Sequence, residues 1–271
     1  MNKYVVSCVT SSVLILVTLG VGGCGARKGS YTPNPETVRR EMTMRGIKFD
    51  EKTFVERAGD GDLTAVRSFI LAKMSPDVRD AKGVTPLLAA VDDGNLETVK
   101  VLLSGGASPD LADGKGTTPL MFAASAGNAE IADALMNKGA NVNARDASGT
   151  TPLLYSATRN APELSEALLA RGADVNASDK GGDSALHYAA IYNNFALAEK
   201  LIARGAQVDG RNSSDGTPLM IAATKNEVEI IRLLLDKGAD VSLKDKSGKT
   251  SLQWAQTNNR IRAAELLSGA R

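Results

Sequence analysis

Histidine, cysteine and aromatic side chains are nearly missing from this sequence, and each shortage removes a class of chemistry. Among 271 residues there is one histidine, His187. A serine triad or a metal cage built on imidazoles therefore has a single candidate group. The two cysteines, Cys8 and Cys24, both lie in the first segment, which leaves no disulfide framework for the rest of the chain. Aromatics make up 4%, so a core must come from repeated small and aliphatic residues rather than from large rings. An excess of either charge is also missing. Without residues 1–23, whose only charged side chain is Lys3, 31 basic groups face 31 acidic ones. That balance offers no basic footprint for releasing phosphate counterions, and nucleic acid is not expected as a partner.

Long apolar runs are absent too. The stretch from Val13 to Leu19 falls short of the roughly 20 residues of a membrane span. It follows Lys3 and precedes Gly20-Val21-Gly22-Gly23-Cys24, the layout of a secretory signal. Val21-Gly22-Gly23-Cys24 resembles the bacterial lipobox. The resemblance implies a signal peptide over 1–23, cleavage before Cys24 and a diacylglyceryl group on its thiol. An uncleaved anchor helix, or an ordinary signal with an incidental cysteine, is the alternative. At about 0.8 kcal/mol per buried CH₂, two or three acyl chains would hold the protein on a membrane almost permanently. Gly25, where an Asp would signal inner-membrane retention, tilts the expectation to the outer membrane, facing the periplasm. Residues 24–46, with Gly29, Ser30, Pro33 and Pro35, read as a lipidated tether and leading segment in which 35–45 starts a helix.

Beyond residue 50 the dominant signal is repetition. Thr85-Pro86-Leu87, Thr118-Pro119-Leu120, Thr151-Pro152-Leu153, Ser184-Ala185-Leu186, Thr217-Pro218-Leu219 and Thr250-Ser251-Leu252 follow one another at 33 residues without an insertion. Thr or Ser ahead of Pro is a helix start, because the hydroxyl accepts an orphan N–H and proline has none to lose. Small pairs recur at Ala123-Ala124, Ser156-Ala157, Ala189-Ala190 and Ala222-Ala223 and let a second helix approach. A column of Gly61, Gly94, Gly127, Asn160, Asn193, Asn226 and Asn259 predicts a left-handed exit from each first helix. Pairs such as Leu168-Leu169 and Leu234-Leu235 cannot be hidden within one unit, so neighbours must stack.

These residues, with Gly106-Ala107, Gly139-Ala140 and Gly172-Ala173 closing successive units, resemble the ankyrin repeat over about 220 residues. The resemblance implies an all-α solenoid of helix–turn–helix–hairpin units, about seven including caps, over 47–271. The N-terminal cap is expected at 50–81, internal repeats at 82–245 and the C-terminal cap at 246–271. The first cap carries Glu56 and Arg57 where later units are apolar or small, and that face is expected to meet solvent. The family's histidine survives only as His187 in Ser184-Ala185-Leu186-His187. It is therefore expected to brace a turn, not to act as a base or a ligand. No cofactor, metal or catalytic residue is expected. Gly114-Lys115-Gly116-Thr117 lacks the phosphate-loop spacing.

Ankyrin relatives bind proteins through the hairpin tips and the concave face of the first helices. Carried over residue by residue, the groove positions here are Asp92-Asp93, Ser125-Ala126, Thr158-Arg159, Ile191-Tyr192, Thr224-Lys225 and Thr257-Asn258. Acid lies at one end and base toward the other. One turn earlier runs Glu56, Ala89, Phe122, Tyr155, Tyr188, Ile221 and Trp254, a column that either packs between units or touches a partner. Asp92, Asp93, Arg159, Ile191, Tyr192, Lys225, Tyr155 and Tyr188 are the candidate contacts, with Tyr192 first and Arg159 second because interfaces favour Tyr and Arg. A monomer bound to a protein partner is expected, as an immunity or inhibitor protein or as a scaffold for an envelope enzyme.

Overall fold

The computed structural model describes residues 33–159 and 161–270. The signal segment, Cys24 and the Asn160 member of the exit column lie outside the described residues. The described chain forms fifteen helices. Helix α1 is Pro35–Met44. Seven pairs follow: α2 Glu51–Gly59 with α3 Leu63–Leu71, α4 Pro86–Asp92 with α5 Leu96–Ser104, α6 Pro119–Ala126 with α7 Ala129–Asn137, and α8 Pro152–Thr158 with α9 Pro162–Ala170. The last three are α10 Ala185–Ile191 with α11 Phe195–Ala203, α12 Pro218–Lys225 with α13 Val228–Asp236, and α14 Ser251–Thr257 with α15 Ile261–Gly269. Each helix packs on its pair-mate and on the like helix of the adjacent units, so the first helices make an inner layer and the second helices an outer one.

The expected helix starts and exits are present. Thr85 Oγ1 accepts from Leu88 N at 3.1 Å and Thr217 Oγ1 from Met220 N at 3.3 Å, each with proline in the first turn. The exits at Gly61, Gly94 and Gly127 have φ of 74°, 74° and 72°, and Asn193, Asn226 and Asn259 follow at 52°, 69° and 55°. Ala123, Ala124, Ala189, Ala190, Ala222 and Ala223 are completely buried, which brings the two layers together.

Polar ladders tie unit to unit. The Oδ1 atoms of Asp77, Asp110, Asn143, Asn176 and Asp209 accept from the backbone N–H of Ser108, Asn141, Asp174, Gln207 and Asp240 in the next unit. At the tips, Ala147 N donates to Lys115 O, Lys180 N to Ser148 O, Ser213 N to Gly181 O and Lys246 N to Ser214 O, at 2.8–3.0 Å. Backbone hydrogen bonds therefore join successive hairpins edge to edge.

The N-terminal end adds a helix to the stack. Residues 35–44 do not merely lead into the stack: α1 lies against α3, burying Val38 and Met42 in the same core as Phe54 and Phe69. Phe49, Phe69 and Phe54 stack in sequence, with centroids 5.6 and 4.6 Å apart, and the Arg39 guanidinium sits 4.5 Å over the Phe49 ring while donating to Ala72 O. The packed body thus includes α1 ahead of the repeat units, and α1 covers α3. Glu56 is solvent-facing as expected and pairs with Lys52 at 3.6 Å, whereas Arg57 is half-buried. At the other end Gln253, Gln256 and Ser268 are exposed in the columns that Met220, Ala223 and Leu235 fill one unit earlier, so this face is polar.

The apolar core divides into two clusters at the fourth pair. There, Ser156 and Ser165 replace the alanines found at 123 and 189 and at 132 and 198. Their hydroxyls meet at 2.7 Å with no solvent exposure. Each also reaches a carbonyl in its own helix region, Leu153 O and Ala161 O. Removing one hydroxyl leaves the other buried and under-paired, at a cost of about 1 kcal/mol, whereas removing both restores the alanine packing of the neighbours. In urea titrations the Ser156→Ala and Ser165→Ala single variants should each lose stability and the double variant less than their sum. Strict additivity would show that the pair does not interact.

Candidate functional site

The groove is bounded by the inner helices and the hairpins, and its charges sit at helix ends. Asp92 and Asp93 occupy the last residue and cap of α4, exposed and against the negative end of the helix dipole. Arg159, the cap of α8, and Lys225, the last residue of α12, lie at the same end of their helices, where a cation is favoured. None of these four takes part in an ion pair among the described residues. Two acidic side chains held where the backbone opposes them are better suited to meeting a cationic group than to stabilising their own helix.

The candidate aromatics divide by environment. Tyr155 OH donates to Asp146 Oδ2 at 2.8 Å and Tyr188 OH to Asp179 Oδ2 at 2.6 Å. Each carboxylate also anchors its hairpin by accepting backbone N–H groups through Oδ1. Burial, and then the Asp146 hydrogen bond, push the Tyr155 phenol up to about 12, and burial followed by the Asp179 hydrogen bond raises that of Tyr188. These hydroxyls are spent inside their own units, and both rings are half-buried. Tyr192 differs. It caps α10, is 49% exposed and stacks on Tyr188 with centroids 6.4 Å apart, so a free aromatic face stands on a braced one. Ile191 beside it is half-buried.

His187 braces a turn. It is buried, its Nδ1 accepts from Ser184 N at 3.1 Å, and its Nε2 donates to Gly216 O of the next unit at 3.1 Å. Where the family histidine is replaced, Gln253 Oε1 accepts from Thr250 N and Met121 Sδ from Thr118 N, so part of the brace persists. Burial above all holds the His187 pKa below its ordinary 6.5. The folded state therefore binds fewer protons than the unfolded chain between those two values. This contribution to stability is complete above pH 6.5 and is lost as pH falls through the lowered folded pKa. His187→Gln, with the side chain already used at position 253, should fold and flatten the midpoint-versus-pH curve between pH 7 and 5. An unchanged slope would assign the acid sensitivity to other groups.

A cavity of about 320 Å³ opens on the groove between α12 and α14, lined by Ile191, Met220, Ile221, Thr224, Lys225, Asp183 and Trp254 among others. Lys225 and Ile191 were among the candidate contacts, Thr224 was a groove position and Ile221 and Trp254 belonged to the column one turn earlier, whereas Asp183 and Met220 were not placed at the groove. The signal for the site was Ile221, the one non-aromatic residue between Phe122 and Trp254 in that column. Among the described residues no group of three or more His, Cys, Asp or Glu side chains is placed to hold a metal ion. No described helix is long and apolar enough to cross a membrane.

Stacked helix pairs, hairpins bonded edge to edge and a groove with unpaired charges and an exposed ring define a repeat scaffold for binding other proteins. The family described as ankyrin repeats (3 copies) matches residues 55–146, 144–212 and 199–271, and the chain belongs to that family. No curated protein matches it.

Proposed function

We propose that this chain is a lipid-anchored, periplasm-facing ankyrin-repeat protein that binds one protein partner in its groove and inhibits it, as an immunity protein does. The anchor and address rest on Val21-Gly22-Gly23-Cys24. The observation that carries the binding reading is the exposed Tyr192 face stacked on Tyr188, between Asp92 and Asp93 at one end and Lys225 at the other. Four inner-helix steps at about 10 Å separate the acidic from the basic end, so roughly 12 residues of extended chain would span them. Charges of opposite sign along that length fix one orientation of the bound segment and speed its encounter. The bonded hairpins favour an inhibitor over a loose scaffold, because a surface ordered beforehand loses little freedom on binding.

The test is capture from solubilised envelope membranes by the acylated protein, with the captured protein's activity measured with and without excess bait. Tyr192→Ala combined with Arg159→Glu should reduce capture at least about tenfold. Retained capture would remove the groove from the account, and undiminished activity of the bound protein would favour the scaffold role. Cys24→Ser should abolish incorporation of labelled palmitate; label that stays on the chain would move the lipid elsewhere.

A further inference from the structure

We propose that the cavity between α12 and α14 receives one aromatic side chain of the partner, a tyrosine or tryptophan followed or preceded by an acidic residue. This rests on the reading of the groove as a protein-binding surface. The four neighbouring positions of the column carry rings: Phe122, Tyr155, Tyr188 and Trp254. Three of those rings are pinned by the carboxylate nine residues earlier, Tyr155 by Asp146, Tyr188 by Asp179 and Trp254 Nε1 by Asp245 at 2.8 Å. The unit between Tyr188 and Trp254 has lost both members, with Ile221 for the ring and Asn212 for the carboxylate. The cavity is the space that this double replacement leaves beside the Trp254 ring.

Its chemistry selects the occupant. Ile191, Met220, Ile221 and Trp254 supply apolar walls, and an aromatic ring entering there gains an aromatic neighbour in addition to burial. Asn212 keeps its turn through Oδ1, which accepts from Ser214 N and Gly216 N, and turns its Nδ2 to Asp183 Oδ1 at 2.9 Å. The second oxygen of Asp183 accepts no hydrogen bond among the described residues, although the side chain lines the cavity, so it is placed to accept from a phenol or indole donor. Lys225 stands at the cavity with no ion-pair partner among the described residues. Arg260 Nε donates to the adjacent Thr224 O, and Lys249 Nζ lies 4.3 Å over Trp254. Lys225 is the one cation of the cavity lining and shares it with the carboxylates of Asp183 and Asp245. Asp245 is engaged by its own hairpin and by Trp254 Nε1, so Lys225 is left to meet an acidic neighbour on the incoming segment.

The design of the site supplies its own control. Asn212→Asp with Ile221→Tyr rebuilds in this unit the pair that Asp146 with Tyr155 and Asp179 with Tyr188 already form, and so fills the cavity with a side chain that the fold accommodates elsewhere. A random peptide display library panned on the full-length chain should enrich sequences with Tyr or Trp next to Asp or Glu. The selected peptides, synthesised, should change the emission of Trp254, the single tryptophan of the protein, and bind the filled double variant and Lys225→Glu at least about tenfold more weakly. Ile221→Phe, which fills the space with one change, should behave like the double variant if the latter does not fold. Enriched peptides without an aromatic residue, a silent Trp254, or equal binding to the filled variants would overturn the cavity while leaving the groove as a protein-binding surface. Failure of the unaltered chain to select any peptide or capture any protein would overturn both readings.

Discussion

Phe69→Ala is expected to lower stability by about 3–5 kcal/mol, the range for truncating a buried phenylalanine. The side chain is fully buried, stacks on both Phe54 and Phe49, and is the surface on which α1 rests through Val38 and Met42. In a solenoid each unit leans only on its neighbours, so the loss should be local before it is global. Hydrogen exchange should show α1, α2 and α3 opening together while α10 to α13 keep their protection. A uniform rise in exchange along the whole chain would mean that the stack folds as a single cooperative unit and that the end is not separately stabilised.

Gly182→Ala is the second change expected to have a large effect, and its size follows from a graded series. Gly182 and Gly248 share φ of 79° at equivalent hairpin positions, so a side chain costs either of them about 1–2 kcal/mol of left-handed backbone. They differ in surroundings. A Cβ at Gly248 would meet nothing within 4 Å, whereas at Gly182 it would meet Ser213 N at 2.7 Å, Asn212 Cα at 2.8 Å and Asn212 C at 3.0 Å. These are backbone atoms of the next hairpin, which cannot rotate away, and overpacking adds about 1–3 kcal/mol. The alanine at 182 should therefore destabilise roughly twice as much as the one at 248 and should break the Ser213 N to Gly181 O bond that joins the two tips. Because Asn212, Ser214 and Gly216 line the cavity, the substitution should also alter the emission of Trp254, which Gly248→Ala should leave nearer to that of the unaltered chain. Equal denaturant midpoints for the two variants would remove the close approach of the hairpins from the account.

Much of this architecture could be read from residue columns because each column has one local cause. Threonine before proline starts a helix wherever it occurs, and Gly or Asn after a helix permits a left-handed exit whatever surrounds it. The polar character of the C-terminal face came from the structure, which exposes Gln253, Gln256 and Ser268 where the unit before has apolar residues. Residues 35–44 were harder, since nothing in Pro35 to Met44 repeats the 33-residue pattern and its partner, α3, is supplied by the fold. The candidate contacts divide along the same line. That Tyr155 and Tyr188 belong to one column is visible in the sequence, but that their hydroxyls are consumed by Asp146 and Asp179 depends on a hairpin folding back over its own helix.

The order of residues by itself determined the unit length, the start and exit of each helix and the need of every unit for neighbours, because these depend on short-range backbone preferences and on apolar surface too large for one unit to hide. Only the tertiary structure decided which polar groups remain free for a partner. Tyr192 keeps an open face while Tyr188 is tied down, Asp183 retains an unused oxygen, and the missing ring at position 221 becomes a cavity. A side chain's spare hydrogen bonds and spare volume are set by what the adjacent units bring within a few ångströms, and no single unit carries that information.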